Sequence, residues 1–194
     1  HFLTYNALYV IFWQALVGQS DALGAWSMGE LVVLSFVVAL QGTLTIPFLG
    51  LQWLPARVRE GALDKYLCRP IDPILAVSFE AIHVTAFLRS LAVALAIIAA
   101  ALIYYGLEIT LGSVLLSAVL LLLGTLTWAF FNGTVSLLSF WLGKVQVLSR
   151  IIQMGVRFRT YPVDIFPTLA RRTLTWLIPV ALIATYPTMV LLGK

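Results

Sequence analysis

The sequence predicts an all-α, polytopic transmembrane helical bundle of six spans, and three observations carry that reading. The 194 residues are 61% hydrophobic and only 10% charged, with a mean hydropathy of +1.01. Soluble domains run to about 45–50% apolar and about 25% charged, so there is too little polar surface here to coat a water-soluble globule. The charges are also bunched: residues 31–56, 90–107, 109–143 and 173–193 contain no Asp, Glu, Lys or Arg. A bilayer core needs roughly 20 apolar residues per helix. Finally, the segment 52–72 holds Arg57, Arg59, Lys65 and Arg69, while the loops 18–29 and 106–112 hold no Lys or Arg. Cytoplasmic loops are enriched in basic residues, which puts 52–72 in the cytoplasm and the two acidic loops outside.

In chain order, residues 2–17 read as the outer part of a first span. The chain opens on His1 rather than Met, so an incomplete N-terminus starting inside is expected, within a single transmembrane domain covering 1–194. Span two covers about 31–51. Pro55 can open a short helix in the polar segment that follows. Val58, Ala62 and Tyr66 then fall at i, i+4 and i+8 on one face, with Arg57, Gly61, Asp64 and Lys65 largely on the other. Such an amphipathic helix lies in the headgroups and can present a docking surface; the plainer alternative is a basic loop that only sets topology.

Span three has a readable start, with Asp72 as N-cap and Pro73 at the first helical position. No further Pro or Gly interrupts residues 73–105. A helix of that length reaches about 50 Å, against a hydrocarbon core of about 30 Å. Glu80 and His83 should therefore project at the cytoplasmic end, with Arg89 near the inner interface. The uncharged stretch 109–143 reads as two spans turning at Asn132–Gly133, the second running on towards Met154. Lys144 and Arg150 then sit within it, facing a cavity, the interface or a partner. One long tilted helix, giving five spans in all, is the rival. Pro162, Pro167 and Pro179 punctuate the segment 157–179, which suggests short interfacial or re-entrant helices before a last span at about 173–192. The six tryptophans (13, 26, 53, 128, 141 and 176) suggest an interfacial belt, with Trp128 or Phe130 as candidates for stacking on a substrate.

The run Arg59-Glu60-Gly61-Ala62-Leu63-Asp64-Lys65-Tyr66-Leu67-Cys68-Arg69-Pro70-Ile71-Asp72-Pro73 resembles bacterial ABC-transporter permeases of the type-2 exporter class. Members of that class carry G-x-L-D-x-x-L-x-R-P-x-x-P after the second span. The run Gly24-Ala25-Trp26-Ser27-Met28-Gly29-Glu30 resembles the family's G-W-S/T-x-x-E start of span two, with Ala25 inserted. Tyr161-Pro162-Val163-Asp164-Ile165-Phe166-Pro167, Leu177-Ile178-Pro179-Val180-Ala181 and Tyr186-Pro187 complete the likeness, which covers nearly the whole chain. The resemblance implies six spans, a cytoplasmic coupling helix between spans two and three, and re-entrant helices before span six. It implies a pair of permease copies (homodimer or related permease) in the bacterial cytoplasmic membrane, each docked on a separate ABC-type nucleotide-binding subunit. Arg57, Glu60, Gly61, Asp64, Arg69, Pro70 and Pro73 are the expected coupling residues.

Several chemistries are not supported. No G-x-x-x-x-G-K-S/T run occurs, so the chain lacks the phosphate-cradling loop of a P-loop ATPase; ATP and Mg are expected on the partner, with no cofactor in this chain. Glu80 and His83, three apart, would share a helical face, but a di-iron bundle needs two such pairs. They are more simply a hydrogen-bonded pair or a contact to the partner. The lone Cys68 cannot form an internal disulfide. The arginines are too few and too close to the membrane for nucleic acid. The expectation is thus an export permease for a small organic or amphipathic substrate, with Glu80, His83, Arg89, Trp128, Lys144 and Arg150 as candidate pathway or interface residues and membrane lipid as surroundings. The alternatives are an intramembrane lipid-modifying enzyme using Glu80 and His83 as acid and base, and a non-transporting membrane assembly subunit.

Overall fold

The computed structural model describes residues 2–17, 25–52, 54–62, 64–68, 70–79, 83–138, 154–177 and 180–194. The elements among them are helical: α1 (Phe2–Val17), α2 (Met28–Leu44), a 3₁₀ turn (Ile46–Phe48), α3 (Leu49–Gln52), α4 (Leu54–Arg59), α5 (Asp64–Leu67), α6 (Pro73–Phe79), α7 (Val84–Tyr104) and α8 (Leu111–Leu137). Two further 3₁₀ turns follow (Arg157–Thr160 and Val163–Ile165), then α9 (Thr168–Arg172), π turns at Thr173–Leu177 and Ala181–Thr185, and α10 (Tyr186–Leu191). Helices α7 and α8 are each long and apolar enough to cross a membrane, at mean hydropathies of 2.4 and 2.3. The pair Thr168–Trp176 and Ala181–Leu191 is apolar enough together, but its halves lie 77° apart.

Helix α2 is the centre of the fold. It buries Leu31, Val32, Val33, Leu34, Ser35, Val37, Val38, Leu40, Gln41 and Thr43, so it is enclosed on all sides, as a helix apolar all round must be. Against one side, Ala94, Ile98, Ala101 and Leu102 of α7 meet Val32, Val33, Val37 and Leu40. Against another, Trp13 of α1 and Ala184 of the second π turn meet Leu31, Leu34 and Val38. The outward faces of α7 and α8 stay apolar and exposed, with Leu88, Leu95, Ile103, Leu115, Leu122 and Leu126 among them. A water-soluble surface of this size would be unusual; a lipid-facing one is expected.

Helix α8 continues unbroken through Asn132–Gly133, against the expected turn there. The Asn132 side chain donates back to the Trp128 carbonyl one turn earlier (3.0 Å). Its amide is thereby satisfied on the helix and does not divert the backbone. At 27 residues, α8 spans about 40 Å. Residues 139–153, which carry the expected fifth span, lie outside the described residues. Span three differs in the opposite sense: His83 has extended backbone (φ −92°, ψ 93°), so residues 73–105 are not one helix. Helix α6 instead packs against α3 and α5, while α7 packs on α2, and these separate attachments override the uninterrupted apolar pattern.

The last helix runs antiparallel to α8: Ser117 Oγ donates to the Pro187 carbonyl (2.8 Å), and Gly124 lies against Leu182 and Ile183. A simple meander of six crossings would run the fourth and last parallel. Just past the end of α10, the Lys194 ammonium meets Glu30 and the Ala25 carbonyl, each at 2.6 Å. The tryptophan belt is also revised. Trp13, Trp26 and Trp128 are core residues; the Trp13 indole N–H donates to Ser35 Oγ at 2.8 Å. Trp176 is 85% exposed.

Candidate functional site

The chain between α2 and α7 folds into a string of short helices. Helix α2 ends where Thr45 Oγ1 donates to the Gly42 carbonyl (2.7 Å) and Pro47 starts a 3₁₀ turn. Helix α4 ends at a left-handed residue, Gly61 (φ 67°), and the Ala62 N–H reaches back to the Arg57 carbonyl (2.9 Å). That six-to-one closure is the Schellman stop, and glycine occupies its left-handed position without a Cβ penalty. The expected helix carrying Val58, Ala62 and Tyr66 on one face is therefore broken at Gly61, and α5 starts afresh at Asp64. Asp72 caps α6 as expected: its Oδ1 accepts from the Ile74 and Leu75 N–H groups at 2.9 and 3.0 Å.

Tyr66 holds this hairpin together. It is 1% exposed and packs with Leu54 and Val77, beside Leu137 at the end of α8. Arg57 Nη1 donates to its hydroxyl at 2.7 Å, and the Lys65 ammonium lies 4.7 Å from its ring centroid, within cation–π range. The tip that results is polar and exposed: Glu60, Gly61, Asp64, Lys65, Cys68, Pro70 and Asp72 all face outward, and Arg57 and Pro73 are half-buried. Six of the seven expected coupling residues thus fall on one hairpin; Arg69 lies outside the described residues.

Beside the hairpin runs an apolar groove of about 360 Å³ between α6 and α8, lined by Phe48, Leu54, Leu75, Phe79, Phe130 and Leu137 among others. Its volume is in the range of small-molecule sites. Phe130, one of the two expected stacking residues, is 73% exposed on its wall. Trp128, the other, is buried with Val135, Val156 and Ile183 and stacks on Phe131 at 6.0 Å.

A second polar locus, not anticipated from sequence, lies in the interior. Arg159 Nη1 donates to Gln41 Oε1 at 2.6 Å. Arginine offers only donors, so the amide oxygen must face it, and Nε2 turns away. That Nε2 is fully buried and has no hydrogen-bond partner, and neither has Thr185 Oγ1 in the π turn Ala181–Thr185. A buried donor left unmade costs about 1–3 kcal/mol. The π turn precedes Pro187, which lacks an N–H and crowds the carbonyl four residues back; widened turns of this kind occur often at functional sites. One signal was legible: Gln41 is an amide inside the uncharged window 31–56.

Two of the remaining candidates lie among the described residues. His83 is exposed at the start of α7, and Arg89 is exposed on its second turn. Glu80, Lys144 and Arg150 lie outside the described residues. His83 has extended backbone as the N-cap of α7, and the other half of the expected pair, Glu80, is not among the described residues.

A family model described as an ABC-2 family transporter protein matches residues 3–194. No curated protein and no solved structure matches the chain.

Proposed function

The chain belongs to the ABC-2 transporter family, and from that premise we propose that it is the permease subunit of an ATP-driven exporter whose ATPase docks on the segment 55–73. As a member of that family it is a membrane component of an ABC transporter. The export direction, a small organic or amphipathic substrate, a second permease copy and a place in the bacterial inner membrane as a multi-pass protein belong to the proposal. So do ATP and Mg held by the partner, since this sequence has no P-loop of its own.

The observation that supports docking best is the form of the hairpin. It presents Glu60, Asp64, Lys65 and Asp72 outward from a rigid base that packs, through Tyr66 and Leu54, on the end of α8. A nucleotide-driven movement of the partner would press on this tip and be passed to α8 through Leu54, Tyr66 and Leu137. Coupling of that kind requires that the partner's two nucleotide states contact the hairpin differently.

The test is purification of the chain from detergent-solubilised native membranes, wild type beside Asp64→Arg. A P-loop ATPase in comparable amount with wild type, and reduced several-fold with the variant, is the expected result. An intact membrane protein that repeatedly brings no ATPase would refute the proposal.

A further inference from the structure

We infer that the pocket beside the exposed Arg172, closed by Trp176 and Tyr186, takes the phosphate of an anionic membrane lipid's headgroup. The inference goes beyond the permease reading. It needs only that the chain is a membrane component, so it fails or stands independently of ATPase docking.

The segment Thr168–Trp176 has the makeup of one that lies in a membrane interface. Leu174 turns inward and is buried with Val163, Val180 and Ala181. Outward, Leu169 and Trp176 are 80% and 85% exposed, with Arg171 and Arg172 exposed between them. Apolar side chains, a tryptophan and arginines on one short stretch suit the headgroup layer. Its direction agrees, because it lies 77° from Ala181–Leu191; where that pair of elements follows the membrane normal, Thr168–Trp176 runs close to the membrane plane. Its depth agrees as well. Tyr186 lies eight residues before Lys194, about 12 Å along a helix, and Lys194 is paired with Glu30 at the start of α2. That sets the pocket near the boundary of headgroups and acyl chains.

The pocket, of about 290 Å³, is lined by Thr168, Arg171, Arg172, Thr175, Trp176 and Tyr186. Its size is at the small end of small-molecule sites, room for a headgroup and not for a whole lipid. No carboxylate among the described residues lines it. Asp164, outside that lining, accepts from Arg171 Nη2 at 2.6 Å and so offsets one of the two adjacent positive charges. The Arg172 side chain has no ion-pair or hydrogen-bond partner among the described residues, and its charge is left to the pocket. Thr175 Oγ1 is committed to the Arg171 carbonyl (2.8 Å), while Thr168 and Tyr186 each bring a hydroxyl. An uncompensated guanidinium with hydroxyls beside it is complementary to a phosphate, whose oxygens arginine grips with two parallel N–H bonds. Basic pockets at membrane level bind anionic headgroups in this way. A zwitterionic headgroup fits less well, since its own ammonium finds no carboxylate here.

The test titrates the purified, delipidated protein in detergent with a phosphatidylglycerol and with a phosphatidylcholine of the same chains, counting bound lipid by native mass spectrometry. Inorganic phosphate serves as competitor. Wild type is compared with Arg172→Gln and with Arg157→Gln, which removes an equal charge from an exposed arginine outside the pocket lining. The expected result is tighter binding of phosphatidylglycerol than of phosphatidylcholine by at least about tenfold, the factor that one hydrogen bond to a charged group supplies. Arg172→Gln should abolish that preference, Arg157→Gln should keep it, and excess inorganic phosphate should not displace the lipid. Equal affinity for the two lipids, a preference that survives Arg172→Gln, or an equal loss in Arg157→Gln would each overturn the inference. Displacement by inorganic phosphate would overturn it too, by assigning the pocket to a soluble anion. Were Arg172→Gln not to fold, the wild-type lipid preference and the phosphate competition would still decide.

Discussion

Arg57 and Tyr66 are joined across the Gly61 turn by a 2.7 Å hydrogen bond from guanidinium to phenol. Two helices of four and six residues, each too short to be stable alone, are fixed to one another by it. Tyr66→Phe keeps the buried ring and loses the acceptor, at an expected cost of about 1 kcal/mol. Tyr66→Ala also empties the space between Leu54 and Val77, at about 3–5 kcal/mol. Thermal unfolding in detergent should rank wild type above Phe above Ala, and ATPase co-purification should fall in the same order. Unchanged co-purification with Tyr66→Ala would remove the hairpin from the docking role.

Gly61 is held at φ 67° with open space around it, so the backbone, not crowding, restricts substitution. Gly61→Ala should cost about 1–2 kcal/mol for the left-handed conformation, and Gly61→Asn distinctly less, because asparagine visits that region readily. Circular dichroism melts of the three proteins check the order.

Gly124 presents the reverse case. A Cβ there would come within 2.6 Å of the Leu182 carbonyl oxygen, which is backbone and cannot swing aside. Close approach through small residues is how apolar helices pack in lipid. Gly124→Ala should therefore destabilise the α8 contact with the π turn by about 1–3 kcal/mol. Gly112→Ala on the same helix, where the nearest atom is 3.9 Å away, should be neutral or mildly stabilising. Equal melting temperatures for the two variants would contradict the packing described.

Lys194 is held by a glycine stop of its own: Gly193 has φ 71°, and the Lys194 N–H closes on the Met189 carbonyl at 2.9 Å. Its ammonium then meets Glu30 at 2.6 Å and stands 5.1 Å from the Trp26 ring centroid. Lys194→Met should cost about 1 kcal/mol or less, as partly exposed pairs do. The loss should be larger in about 10 mM than in about 1 M salt, where the Debye length drops from about 30 Å to about 3 Å. A loss insensitive to salt would assign the effect to packing on Trp26.

Much of this was legible in the sequence. The helical class, the apolar helix α2 and the Asp72–Pro73 start of α6 all follow from charge-free windows and capping chemistry. What was missed was decided by partners distant in sequence. Nothing near His83 announces a break; α6 and α7 part because they attach to different neighbours. Asn132–Gly133 looks like a turn until Asn132 is seen to bond its own helix. Trp13 looks interfacial until Ser35, which lies 22 residues away, takes its N–H. Gln41 and Arg159 meet across 118 residues, beyond the reach of any local pattern.

The central position of α2 has a consequence for biosynthesis. Glu30 waits for a partner made 164 residues later, and Gln41 for one made 118 later. At about 5–20 residues per second, α2 spends roughly 10–30 s as a nascent segment before its last covering elements exist. During that interval its amide and its packing face must be shielded by the insertion machinery or by lipid. A ribosome-bound chain halted before residue 157 should therefore be more sensitive to proteases and quality control than the finished protein.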